Sequence, residues 1–122
     1  MTVQRVNLRE LLSAKPHDHG GEGTILAHRV FARGAGSGAD FVDLAVLPPG
    51  TSIGRHRHGR DRETYIVLSG GGLMYRDGEE FRVEAGDIVV NAPFGEHGLS
   101  NDSDTDLALL VFEEALHDAA DG

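Results

Sequence analysis

Cysteine is missing from this sequence altogether, which removes disulfides and thiolate chemistry without fixing a cellular compartment. Long apolar runs are missing too, since no stretch approaches the roughly 20 residues that span a bilayer. The opening residues MTVQRVNLRELLSAK lack the apolar stretch and cleavage site of a signal peptide. A cytoplasmic location away from membranes is therefore expected. Positive charge is scarce: 11 Lys and Arg stand against 20 Asp and Glu, a net charge of −9. Phosphate contacts need a basic face, so neither nucleic acid nor an acidic membrane is an expected partner.

What is abundant is glycine. Seventeen Gly in 122 residues, with 39% hydrophobic and 25% charged residues, describe one soluble domain with many tight turns. Three segments follow: an N-terminal arm at 1–23, a β-barrel at 24–113 and a C-terminal tail at 114–122. In the arm, NLRELLSAK suits a short helix, with Asn7 as N-cap and Glu10 as its capping-box partner, broken by PHDHGGEG. From Thr24 the texture is β: TILAHRVF, a turn at Gly34–Gly38, DFVDLAVL, then TYIVLSG, GLMYRDGEEFRV, GDIVVNAP and DLALLVFEE. Asp77-Gly78 is a two-residue hairpin signal. Short strands between regular turns read as an all-β sandwich or barrel of antiparallel sheet.

The stretch GTSIGRHRHGRDRETYIVLSG (50–70) carries the chemistry. On a strand, residues two apart share a face, so His56 and His58 project side by side. If GRDR (59–62) is a loop and the chain returns antiparallel, Glu63 lies opposite His58 with Cβ atoms about 5 Å apart. Metal bonds of about 2.0–2.2 Å then let three side chains reach one ion. A second H-x-H, His17 and His19 with Glu22 after it, sits in a Gly-rich loop with no strand to aim it, and reads as solvated.

The same stretch resembles the first motif of the cupin superfamily, with Gly50, His56, His58, Glu63 and Gly70 in place. GDIVVNAPFGEHGLSN resembles the second through Gly86, His97 and Asn101, although Pro93 and Gly95 each stand one position later than that motif asks. The resemblance implies a cupin jelly-roll β-barrel (a double-stranded β-helix) and a divalent metal ion held by His56, His58, Glu63 and His97. These ligands leave a divalent ion with a formal charge of +1 and two open octahedral positions. Nitrogen and oxygen donors suit Fe, Mn, Ni, Cu or Zn without selecting among them.

Strand alternation turns Tyr65, Val67 and Ser69 inward with Glu63. Tyr65 is the candidate for a polar or catalytic contact. Tyr75 and Phe94 are candidate apolar substrate contacts, and Arg60, beside Arg62 near the rim, is a candidate for capturing an anionic substrate. Arg55 and Arg57 face away from the metal, Asn101 ties down a turn, and His28 and His117 are ordinary strand and tail residues. Ile66 and Leu68 form an apolar outer face that the N-terminal segment or a second copy would cover, so a homodimer is expected. The implied function is a metal-dependent enzyme on a small-molecule substrate, foremost an Fe(II) dioxygenase-type oxidoreductase. The alternatives are a non-redox isomerase, lyase or polyketide-cyclase type enzyme, and a non-catalytic metal- or ligand-binding cupin.

Overall fold

A computed structural model of the chain describes Arg5, residues 7–31 and residues 41–115. The expected turn at Gly34–Gly38, and the tail with His117, lie outside these residues. A four-residue helix, α1 (Leu8–Leu11), opens on Asn7, whose side chain accepts a hydrogen bond from the Arg9 amide. The strands follow as β1 (Ser13–Pro16), β2 (Thr24–Phe31), β3 (Phe41–Leu47), β4 (Ser52–Arg57) and β5 (Asp61–Ser69). After them come β6 (Gly71–Arg76), β7 (Glu79–Glu84), β8 (Ile88–Asn91), β9 (Glu96–Ser100) and β10 (Leu107–Ala115). The arm thus contributes β1, which pairs with β2, and β10 runs two residues past the barrel boundary drawn from the sequence.

These strands form two antiparallel sheets, one in the order β1-β2-β3-β10-β5-β8 and one in the order β4-β9-β6-β7. The architecture is a jelly roll whose two sheets face each other without closing. Leu47, Met74, Leu107 and Leu109 are fully buried between them, each side chain contributing about 1.5–3 kcal/mol on burial. Asp77 and Gly78, both left-handed at φ 49° and 89°, make the tight β6–β7 turn. Asn101 is buried and does tie down a turn, its amide donating to the carbonyls of Leu47 and Thr105 while its oxygen accepts from Ser103.

One relationship differs from the expected hairpin. β4 and β5 are consecutive in sequence but belong to opposite sheets, so Glu63 does not lie opposite His58 on a neighbouring strand. Its in-register neighbours are Asn91 on β8 and Glu113 on β10, and it meets the histidines across the interior. Ser69 also departs from simple alternation. The register between β5 and β10 skips Leu68, and that bulge turns Ser69 out to solvent.

Candidate metal centre

β4 and β9 position two of the histidines, for His56 and His97 are direct cross-strand neighbours. The β4 register shifts between Ile53 and His56, a bulge that re-aims the end of the strand into the interior. His58 follows on the crossover and Glu63 enters from the opposite sheet. The ligand atoms of His56, His58, Glu63 and His97 all lie within 4.8 Å of one another, a set that could hold a metal ion. His97 is 1% and Glu63 7% exposed.

Hydrogen bonds fix which nitrogen of His56 and of His58 faces the centre. His56 Nδ1 lies 2.7 Å from the Gly54 carbonyl and His58 Nδ1 lies 2.7 Å from an Asp61 carboxylate oxygen. Both partners only accept, so in the neutral ring each Nδ1 carries the proton and each Nε2 presents a lone pair. Those two Nε2 atoms are 3.1 Å apart. His97 Nε2 is 3.2 Å from Glu63 Oε1, and His58 Nε2 is 3.6 Å from Glu63 Oε2. With bonds of about 2.0–2.1 Å, adjacent ligands on one ion lie about 3.0 Å apart at right angles and about 3.4 Å apart in a tetrahedron. The donor set therefore fits a divalent cation.

The electrostatics agree. Burial lowers the His56 pKa to about 4, helped by the neighbouring His97 and His19 and opposed by its bond to Gly54. A neutral imidazole is the form that ligates. Burial pushes the Glu63 carboxyl up, but the hydrogen bond from His97, the adjoining His58 imidazole and the Tyr65 hydroxyl hold it below its ordinary value. Tyr65 sits inside, 2% exposed, with its ring edge-on to His97 at 5.4 Å and its hydroxyl bonded to Glu63. Burial and the Glu63 charge raise its pKa well above the usual phenol value, so it stays a neutral phenol that donates a hydrogen bond to Glu63.

A cavity of ≈ 270 Å³ opens onto Glu63, His58 and Tyr65. Lys15 and Arg29 stand in its wall, paired with Asp18 and Asp43 at 2.9 Å each, and Arg29 lies over the Phe41 ring at 3.6 Å. Glu113 closes another side. Burial, with Asp61 and Glu63 bonded to it, raises its pKa to about 8.

Three residues singled out from the sequence are not brought to this cavity. Tyr75 lies on the outer face of its sheet, where its hydroxyl donates to Glu96 at 2.7 Å and Arg55 stacks over its ring at 3.7 Å. Met74 and Arg76 hold the inward parity instead. Phe94 is 58% exposed in the turn before β9, and Arg60 is exposed on the crossover. Conversely, Lys15, Arg29 and Glu113 were missed. Alternation along TILAHRV and LALLVFEE could have found the last two, since Arg29 shares parity with buried Ile25, and Glu113 with buried Val111.

The loop read as solvated is also placed differently. His17 and His19 are exposed, but Asp18 and Gly21 are buried, because the turn at Asp18–Gly20 packs on β4. Gly21 and Gly54 meet backbone to backbone, and a Cβ on either would strike a carbonyl of the other segment. That contact lays the His19 ring flat on His56, centroids 3.7 Å apart. His19 is a wall beside the centre and stands outside its ligand set.

Comparison with known proteins agrees with this geometry. The profile of the cupin domain family matches residues 43–113. An oxalate-binding protein from Thermotoga maritima is 32% identical over 93 residues, 75% of this chain and 77% of the relative. A gentisate 1,2 dioxygenase from Aquipseudomonas alcaligenes is 33% identical over 64 residues, 52% of this chain but 18% of that longer enzyme. The crystal structure of a predicted oxalate decarboxylase from Thermotoga maritima superposes with a TM-score of 0.88 at 27% identity, covering 93% of this chain and 100% of the other.

Proposed function

This chain belongs to the cupin family, and from that premise we propose that it binds one divalent metal ion and uses it to hold and transform a small organic acid, with Fe(II) oxygenase chemistry as the leading reaction. The carrying observation is the pair of facing Nε2 atoms on His56 and His58, 3.1 Å apart, with His58 lining the cavity. With both rings neutral, that arrangement is repulsive unless a cation lies between them.

His56, His58, Glu63 and His97 would hold the ion, which supplies positive charge for chelating oxygens and, as Fe(II), a redox centre for O₂. The chain's own residues do the rest. Asp61 accepts from His58 Nδ1 and keeps Nε2 directed inward, as Gly54 does for His56. Tyr65 donates to Glu63 and steadies the carboxylate. Lys15 and Arg29 are already neutralised by Asp18 and Asp43, so an anion's charge is met chiefly at the ion. The cavity, at ≈ 270 Å³, is smaller than the roughly 300–1,000 Å³ of drug-sized sites, which favours a molecule of few atoms. The oxalate-binding relative supports a carboxylate ligand, and the gentisate dioxygenase supports a reaction with O₂.

Oxygen uptake by the Fe(II)-loaded protein tests the reaction, with oxalate-like acids, catechols, diketones and thiols offered in turn. Uptake with one of them supports the oxygenase; saturable binding of an acid with no uptake and no product transfers the reading to a binding protein. The oxalate-binding relative favours that second reading.

The homodimer stays part of this proposal. Leu68, Ile88 and Val90 are 49%, 64% and 47% exposed on one outer sheet face, an apolar strip suited to a second copy. Light scattering on the purified protein decides it, and a monomer at all concentrations removes it.

A further inference from the structure

Among the described residues, three buried side-chain atoms have no hydrogen-bond partner in the protein: both amide atoms of Asn91 and Nδ1 of His97. Buried polar groups are satisfied in nearly every native interior, so orphans clustered in one place point to something that satisfies them. Both residues border Glu63. Asn91 ends β8 directly opposite Glu63 in register, on the inward face it shares with Val89, and is 1% exposed. His97 approaches Glu63 from the other sheet, with Nε2 3.2 Å from Oε1. His97 is also the exception among the three imidazoles. His56 and His58 each anchor Nδ1 on a protein acceptor, and His97 does not.

We propose that Asn91 is the positioning residue for His97, holding a buried water that accepts the proton His97 Nδ1 carries once Nε2 turns its lone pair to the ion. The inference rests on the metal-site reading above. A water site needs two to four polar partners, and a carboxamide offers both an acceptor and donors. With Nδ1–H so engaged, the Nε2 lone pair is fixed toward the centre, the role Gly54 and Asp61 play for the other two rings. A leucine here would fill a similar volume without leaving polar atoms unpaired, so packing alone does not call for an amide.

Cobalt(II) titration of the metal-free protein, followed by its visible absorption, tests the assignment. Asn91→Leu is expected to weaken Co(II) binding about tenfold or more and to shift the absorption band, while the melting temperature of the metal-free protein holds or rises. Asn91→Ser, which keeps a polar group and leaves room for water, is expected to stay within about threefold of wild type. Wild-type affinity and spectrum in Asn91→Leu would overturn the role, as would a loss in Asn91→Ser equal to that in Asn91→Leu. Should Asn91→Leu fail to fold, Asn91→Val serves in its place with the same expectations. A wild-type protein that takes up no Co(II) overturns the metal site itself and this role with it; uptake by wild type with unaltered variants overturns the role alone.

Discussion

His56 and His58 face each other nitrogen to nitrogen at 3.1 Å, and neither Nε2 carries a proton, because each ring spends its proton on a bond from Nδ1. Two such lone pairs are reconciled by a cation. His56→Ala and His97→Ala are therefore expected to lower bound metal from about one ion per chain to roughly a tenth or less. His17→Ala and His19→Ala leave it unchanged, since neither ring belongs to the ligand set. Metal analysis of the four purified variants checks this; equal contents in all four would refute the assignment.

Glu113 gives a pH dependence with a definite sign. Its folded pKa of about 8 lies above the ordinary 4.5, through burial and the neighbouring Asp61 and Glu63. Between those values the folded protein holds a proton that the unfolded chain releases, so this group's contribution to stability is lost as pH rises through about 8. Glu113→Gln stays neutral. The metal-free variant should therefore lose less stability between pH 6 and 9, by about 1–2 kcal/mol once solvent screening is allowed for. Parallel urea curves at each pH measure it, and identical pH slopes would contradict a proton held by the Asp61–Glu113 pair.

Phe94 occupies the position where the second cupin motif asks for glycine, and its φ of 63° is the left-handed conformation that glycine adopts freely. The displaced Pro93-Phe94-Gly95 thus keeps the turn while placing a bulky residue in a strained backbone. Its amide donates to Gly59 and its carbonyl accepts from Arg57, bonds that any residue can keep. Phe94→Gly should stabilise the fold by about 0.5–1 kcal/mol with Co(II) affinity unchanged. A stability loss above about 1 kcal/mol on denaturant unfolding would show that the exposed ring packs on something essential.

Local chemistry was legible in the sequence. The Asp77-Gly78 hairpin, the Asn7 cap, the inward turn of Tyr65 and the buried, bonded Asn101 follow from neighbours within a few residues. Readings that needed the partner of a strand were less secure. Glu63 was placed beside His58 by assuming a hairpin, whereas crossing to the opposite sheet brings it to the same ions' worth of space by another route. Nothing local reveals that the Asp18–Gly20 turn seats on β4 and lays His19 over His56, because Gly21 and Gly54 meet only in the fold. Ser69 escaped through a bulge that alternation cannot foresee. Asn91 was within reach: it shares parity with Val89 in IVVN, and an amide on an inward strand face is a signal in itself.

A crystal of the protein grown with Co(II), with anomalous diffraction recorded at the cobalt edge, puts the shared cation to the most direct trial. A single strong peak is expected per chain, about 2.0–2.3 Å from Nε2 of His56, His58 and His97 and from a Glu63 oxygen. A map with no peak among those four side chains, or with cobalt held at His17 or on the surface alone, would contradict it.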